Sequence, residues 1–241
     1  NDLDIPLDTG QLILADCTNC DVGNLDISNV DYAIQVGFSS EINIFSNEFD
    51  NIIRNCITIY VSSNNRIENN LIHYISGTGI VLSGSSLNNN IFKNSIKDNN
   101  KGINIGSKSS LNSISNNNFI GNENCGVYLD QSENNEIIRN IFQQNRYGVL
   151  LDFSYNNIIT NNNFINNNRP GSFHVDYQRI NDNTWNLNYY GFRFGILPKL
   201  ILGLVKTKYT WEWMPGEYAY ISIPFIIFDR NPAREPYDIV N

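Results

Sequence analysis

Between Ile44 and Phe164 one arrangement of apolar and polar positions is written six times: Ile, two residues, Asn, one residue, then Ile or Phe. It reads Ile44-Asn47-Phe49, Ile67-Asn70-Ile72, Ile91-Asn94-Ile96, Ile114-Asn117-Phe119, Ile137-Asn140-Phe142 and Ile159-Asn162-Phe164, so the Asn recurs at steps of 23, 24, 23, 23 and 22 residues. A second phrase keeps the same period: Ile34-Gln35-Val36, Ile57-Thr58-Ile59, Ile80-Val81-Leu82, Ile103-Asn104-Ile105, Val127-Tyr128-Leu129 and Val149-Leu150-Leu151. Alternation of this kind places successive side chains on opposite faces of a strand. A period of about 20–29 residues also suits a leucine-rich repeat, which needs several Leu per turn and a helical segment opposite each strand. Here the fixed sites are Ile, Val and Phe, which favour strands. The intervening runs, such as Asn116-Asn117-Asn118 and Asn166-Asn167-Asn168, are poor helix material because Asn competes for its own backbone. The pattern predicts an all-β parallel β-helix, a solenoid of about six to seven coils of 22–24 residues.

In that architecture equivalent residues of successive coils stack about 4.8 Å apart. The inward Ile, Val, Leu and Phe form core columns, and Asn47, Asn70, Asn94, Asn117, Asn140 and Asn162 form one structural ladder at a bend, amide bonded to amide. Gly79, Gly102, Gly126 and Gly148, each just before a strand, are expected at another bend where φ is positive. Residues 1–32, with Leu12-Ile13-Leu14 and Leu25-Asp26-Ile27, read as an irregular first coil, and the rhythm breaks after about Tyr177. This divides the chain into a β-helix over 1–177 and a C-terminal capping or interaction segment over 178–241. The Trp, Tyr and Phe concentrated in that segment suit a cap over the dry open end of the last coil. Glu217–Pro224 alternates like one further strand.

The motifs Asn-Asn-x-Ile-x-x-Asn-x-Phe and Gly-Ile-x-Leu resemble the NosD-like right-handed parallel β-helix repeat over residues 30–177. The resemblance implies a right-handed solenoid of a kind also found in carbohydrate-binding and sugar-hydrolase proteins, and it brings a periplasmic copper-delivery context. One Met, Met214, and two widely separated His give copper little to bind. Asn183-Thr184-Trp185-Asn186-Leu187-Asn188-Tyr189-Tyr190 looks like the Asn-x-Trp-x-x-Asn-Tyr-Trp segment that closes such helices in archaeal surface proteins, with Tyr190 where Trp is usual. The ending Phe228-Asp229-Arg230-Asn231-Pro232-Ala233-Arg234-Glu235-Pro236-Tyr237-Asp238-Ile239 is similar to theirs as well.

Composition narrows the partners. A formal net charge of −8 argues against nucleic acid, which requires concentrated Lys and Arg. No apolar run approaches the roughly 20 residues needed to span a bilayer. The acidity and the start at Asn1 without Met suit an extracellular or cell-surface protein. Cys17-Thr-Asn-Cys20 is open to a local disulfide, to two free thiols or to half a metal site, whereas Cys56 and Cys125 lie about three coils apart, too far to bridge.

Candidate chemistry sits where the repeat changes character. If Phe173-His174-Val175 is the rung after Val149-Leu150-Leu151, then Asp130, Asp152 and Asp176 stack in one outward column. Tyr128, Leu150 and His174 then form the next column, with Arg146, Arg169 and Arg179 close by in sequence. Carboxylates about 5 Å apart repel unless neutralised, so this column is a candidate for Ca²⁺, the one cofactor implied, or for acid and base catalysis by Asp130, Asp152, Asp176 and His174. Asp is also common where a strand enters a turn. Tyr128, Tyr147, Tyr155 and Tyr177 are candidate carbohydrate-stacking platforms, while His73 reads as an outward strand residue. Asn-rich walls and sparse chemistry favour a secreted structural or adhesive β-helix whose partner is a second copy, in a filament or surface layer, or a surface polysaccharide. The alternative is a polysaccharide lyase, hydrolase or epimerase, or a glycan-binding module, using the acidic rungs.

Overall fold

In the computed structural model, which describes residues 10–176, 182–191, 199–210, 218–229 and 231–239, the chain winds through three sheets, visiting each once per coil. The first sheet has ten strands, from Leu12–Ala15 to Tyr218–Asp229. The second has eight, from Thr18–Gly23 to Thr184–Asn186, and the third has seven, from Asp26–Ser28 to Asn163–Ile165. Neighbouring strands are parallel except at the end of the first sheet, where Lys199–Thr210 and Tyr218–Asp229 pair antiparallel. The architecture is a β-solenoid of about seven turns. Thr184–Asn186 and Lys199–Thr210 continue two of the sheets beyond residue 177.

Register follows the repeat. Ile44, Ile67, Ile91, Ile114, Ile137 and Ile159 stack in one interior column that ends on Trp185. Ile27, Phe49, Ile72, Ile96, Phe119, Phe142 and Phe164 stack in another. All of these are buried, and Phe119, Phe142 and Phe164 lie nearly parallel at 4.9 Å spacing, with Tyr190 continuing the stack at 5.3 Å. Sheet hydrogen bonding sets the rung height and the rings adopt it, so one spacing serves both interactions.

Three corners join the sheets, and each carries an Asn ladder. The first runs Asn65, Asn89, Asn112, Asn135, Asn157 and Asn183; the second runs Asn47, Asn70, Asn94, Asn117, Asn140, Asn162 and Asn188; the third runs Asn99, Asn122, Asn145 and Asn167. Within the second ladder, Asn117 Oδ1 accepts both the backbone N–H of Asn94, at 2.9 Å, and its side-chain amide, at 3.0 Å. Asn117 Nδ2 donates to the Ile91 carbonyl and to Asn140 Oδ1. Each buried amide thus answers donors that the turn withdraws from the sheets. Buried serines lie beside the first corner in two bonded runs, Ser39–Ser62–Ser86–Ser109 and Ser132–Ser154.

The turning itself is done one residue earlier than the ladder. Ser46, Asn69, Lys93, Asn116, Arg139, Asn161 and Leu187, each immediately before an Asn of the second ladder, have φ of 53–56°. Gly79, Gly102, Gly126 and Gly148 do not supply the positive φ anticipated for them, since they lie inside strands. Their requirement is space: a Cβ on Gly126 would stand 2.6 Å from the Phe142 ring and 2.9 Å from the Gly148 carbonyl oxygen, and one on Gly148 would stand 2.6 Å from Phe164. Small residues on the first sheet make room for the aromatic column of the third.

Candidate functional site

The outer face of the first sheet carries the charged column. Asp130 is in register with Asp152, and Asp152 with His174. The third member is therefore His174, and Asp176 pairs instead with Lys206 on the following strand. This corrects the expected register by two residues. Alternation cannot detect such a shift, because residues 171, 173 and 175 face inward in either alignment. Tertiary packing decides it: Gly171 takes the place below which Val149 lies, and a Cβ there would stand 2.3 Å from the Trp185 indole. The neighbouring outward column is accordingly Tyr128, Leu150 and Ser172.

Two side chains, from the rungs on either side of Asp152, converge on its carboxylate. Tyr128 donates its hydroxyl to Asp152 Oδ2 at 3.3 Å, and His174 Nδ1 lies 3.4 Å from Asp152 Oδ1. The latter contact is an ion pair whenever the imidazole is protonated, but it is not aligned as a hydrogen bond, so Oδ1 is a buried acceptor without a donor. Burial alone would raise the Asp152 carboxyl, yet His174, Lys206 and the Tyr128 hydroxyl outweigh it and hold the group below the usual carboxylate range. On the adjacent rung Asp130 is pushed the other way, by burial and then by the negative charge of Asp152. Tyr128 is raised by burial and by both carboxylates, so it remains a proton donor.

Cations flank the column. Lys101 Nζ lies 4.6 Å over the Tyr128 ring, Arg146 and Arg169 lie 5.5 and 5.9 Å from the Tyr147 centroid, and Lys206 Nζ lies 4.6 Å over Phe153. The faces of Tyr128 and Tyr147 are thus engaged by cations. Tyr155 is 8% exposed and cannot serve as an exposed platform, and Tyr177 lies outside the described residues. The three-carboxylate Ca²⁺ arrangement is not what the register assembles: Asp130 and Asp152 form a pair, and both Asp152 oxygens already face other groups. Among the described residues no group of three or more His, Cys, Asp or Glu side chains is placed to hold a metal ion.

Cys17 and Cys20 are free, as are Cys56 and Cys125, so the possible disulfide is not formed. Cys20 lies in the strand Thr18–Gly23 and Cys17 just before it, and each thiol donates to a carbonyl of its own segment, Cys17 to Ala15 and Cys20 to Thr18. His73, on the third sheet, lies 3.5 Å from both Glu48 and Asp50, far from His174 on the first. The residue that sequence reasoning missed is Asp229. It is fully buried and terminates the second Asn ladder, a role that its place in the C-terminal ending from Phe228 to Ile239 did not announce.

A three-sheet solenoid with a charged column on one outer face defines the class, a parallel β-helix protein. Residues 6–195 match the family model described as "Periplasmic copper-binding protein (NosD)", and the chain belongs to that family. The described residues do not fit a copper centre, since the two His lie in different sheets and neither belongs to a group of three or more His, Cys, Asp or Glu side chains placed to hold a metal ion. No curated protein matches the sequence. Among solved structures, the chain is similar to the periplasmic alginate epimerase AlgG, at 21% identity and a TM-score of 0.59, covering 64% of this chain and 38% of that one. It is also similar to the A-module of the Azotobacter vinelandii mannuronan C-5 epimerase AlgE6, at 18% and 0.54, covering 63% and 49%. The tailspike of E. coli bacteriophage HK620, in complex with a pentasaccharide, matches at 11% and 0.56, covering 78% and 41%. At these identities the likeness concerns the fold, and the chain spans less than half the length of each.

Proposed function

We propose that this chain is a polysaccharide-binding β-helix of the cell exterior, gripping an extended glycan along the outer face of its first sheet. The observation that carries the reading is the convergence of Tyr128 and His174 on Asp152 across three successive rungs, with Asp130 on the rung before. Half-buried polar groups stacked at about 4.8 Å match the repeating polar contacts of an extended chain of sugars. The named partners of the fold's neighbours, alginate, mannuronan and a pentasaccharide, support this class of ligand, and the family's periplasmic description supports the location. Among the described residues no helix is long and apolar enough to cross a membrane. An adhesive role follows from binding alone.

Cleavage or epimerisation is the second reading. Neighbouring carboxyls displaced in opposite directions are the arrangement from which acid and base pairs are made. Binding and turnover of a panel of acidic and neutral polysaccharides, with and without Ca²⁺, test both. Retention that is lost in Asp152→Asn and in His174→Ala supports the binding face, and product formation distinguishes the enzyme. Retention undiminished in both variants removes the face from consideration. Self-assembly rests on a separate observation, the exposed apolar cluster Leu200, Leu202, Ile226 and Phe228 on the last two strands of the first sheet. Sedimentation of a concentrated sample tests it, and a single monomeric species counts against it.

A further inference from the structure

The outward column of the first sheet that holds Asp130, Asp152 and His174 carries Gly37, Tyr60 and Ser83 nearer the first coil, with Gly106 beside Asp130. Tyr60 is 47% exposed, and its neighbours Phe38 and Val61 are exposed as well. The Phe38 and Tyr60 rings meet edge to face, 5.7 Å apart at 86°. Two glycines shape the space around them. A Cβ on Gly37, one rung before Tyr60, would meet nothing within 4 Å, whereas one on Gly84 would stand 2.8 Å from both Tyr60 Cε2 and Val61 Cγ2. The Tyr60 ring and Val61 therefore lie low over the following rung, in room that only a glycine leaves.

The fold does not call for apolar side chains here. Phe38 and Val61 have φ of 53° and 47°, a conformation costly for bulky side chains and most of all for β-branched ones. In other coils the same turn is made by Asp16, Ser85, Lys108 and Gln131, each donating its backbone N–H one coil on as Phe38 and Val61 do. Phe153, at the equivalent place beside Asp152, has Lys206 over its ring. Among the described residues no cation lies over Phe38 or Tyr60, in contrast to Tyr128 and Tyr147. An open aromatic face receives a pyranose that carries its C–H groups on one side. Between Tyr60 and Asp130 the column holds only Ser83 and Gly106, so no large side chain rises between the rings and the acids.

Resting on the polysaccharide reading of the outer face, we propose that Tyr60, edged by Phe38, is a second subsite of the same groove. It stacks one sugar ring of the glycan whose polar groups meet Asp152 and His174. Tyr60 and Asp152 are four rungs apart, about 19 Å at about 4.8 Å per rung. With roughly one sugar per rung, a disaccharide does not reach both and a hexasaccharide does.

Titration calorimetry of the whole chain with mannuronate, xylose and glucose oligomers, each as disaccharide and hexasaccharide, tests this. For an oligomer that binds, the gain in affinity from disaccharide to hexasaccharide should fall about 3–10-fold in Tyr60→Ala, fall less in Phe38→Ala, and persist in Tyr60→Phe. Asp152→Asn should weaken both lengths. A gain unchanged in Tyr60→Ala and Phe38→Ala, with binding still lost in Asp152→Asn, overturns the platform and leaves the outer-face reading standing. A gain lost in Tyr60→Ala while Asp152→Asn binds like the wild type overturns the shared groove. Absence of binding by every hexasaccharide overturns both. A dimer in sedimentation that Tyr60→Ala abolishes assigns the rings to a second copy and overturns the platform too.

Discussion

Asn188 donates both its backbone N–H, at 3.0 Å, and its side-chain amide, at 3.1 Å, to the same oxygen of Asp229. In the second ladder each Asn passes its donors to the Oδ1 of the next coil, so the column of aligned amides ends with donors facing out of the last rung. A carboxylate at that end receives them, and the Tyr190 hydroxyl adds a third bond at 2.9 Å. An anion facing the donor end of aligned dipoles is the arrangement that stabilises helix N-termini.

Replacing Asp229 by Ala strands three buried donors and should cost about 2–4 kcal/mol, whereas Asp229→Asn, which keeps one carbonyl acceptor, should cost about half as much. Urea midpoints measure the difference. Equal midpoints for wild type and Asp229→Ala would show that the ladder needs no acid at its end.

Position within the ladder should grade the effect of losing an Asn. Asn117 Oδ1 accepts two bonds from Asn94, while among the described residues the Oδ1 of Asn47, the first member, accepts the Leu25 N–H alone. Asn117→Ala should therefore destabilise by about 2–3 kcal/mol and Asn47→Ala by distinctly less. Thermal denaturation of the two variants side by side checks the order.

Packing across the core makes a different prediction. Gly126→Ala drives a methyl group into Phe142 and the Gly148 carbonyl, and overpacking of this kind costs about 1–3 kcal/mol. Adding Phe142→Ile restores the arrangement around Gly79, whose neighbours are Ile72 and Ile96. The double variant should fall short of the sum of the two single losses. Additive losses would mean that the glycine and phenylalanine columns are not coupled.

The two carboxylates of the outer face should respond oppositely to pH. Asp152 is held below its unfolded range, so its contribution is present above that range and is lost as pH falls through it. Asp130 is raised, so its ionisation opposes folding at neutral pH, and the penalty fades as pH falls. Asp152→Asn should lower the melting temperature at pH 7, Asp130→Asn should raise it, and both differences should shrink toward pH 3. Shifts of about 1–3 °C are expected for partly exposed charges. Shifts of the same sign at pH 7 would contradict the assignment.

Thiol chemistry offers a check on the cysteines. Burial pushes Cys125 up to about 12 and raises Cys56 well above its ordinary value, whereas Cys17 and Cys20 are partly exposed. Iodoacetamide at pH 8 should label Cys17 and Cys20 in the native protein and all four after denaturation. Two labels after denaturation without reductant would show that Cys17 and Cys20 are joined.

Most of the architecture is legible along the chain, because a solenoid repeats a local unit. Period-two alternation marks the strands, the step of 22–24 residues marks the coil, and Asn47 through Asn162 already stand in line. Conformation and partners at the departures from the repeat are not legible in this way. Lys93, Arg139 and Leu187 adopt positive φ because the corner demands it at that place, and no preference of those side chains announces it. Tyr155 is buried although its neighbours in sequence are polar.

The sequence by itself determined the fold, the core columns and the ladder from Asn47 to Asn162, since equivalent residues one coil apart meet wherever the chain turns at a constant period. Tertiary structure alone decided the site. A shift of two residues keeps the same inward faces, so only the Trp185 indole over Gly171 settles that His174, and not Asp176, stands beside Asp152. The same holds for the end of the ladder, where 41 residues separate Asn188 from Asp229 and only the returning strand brings them together.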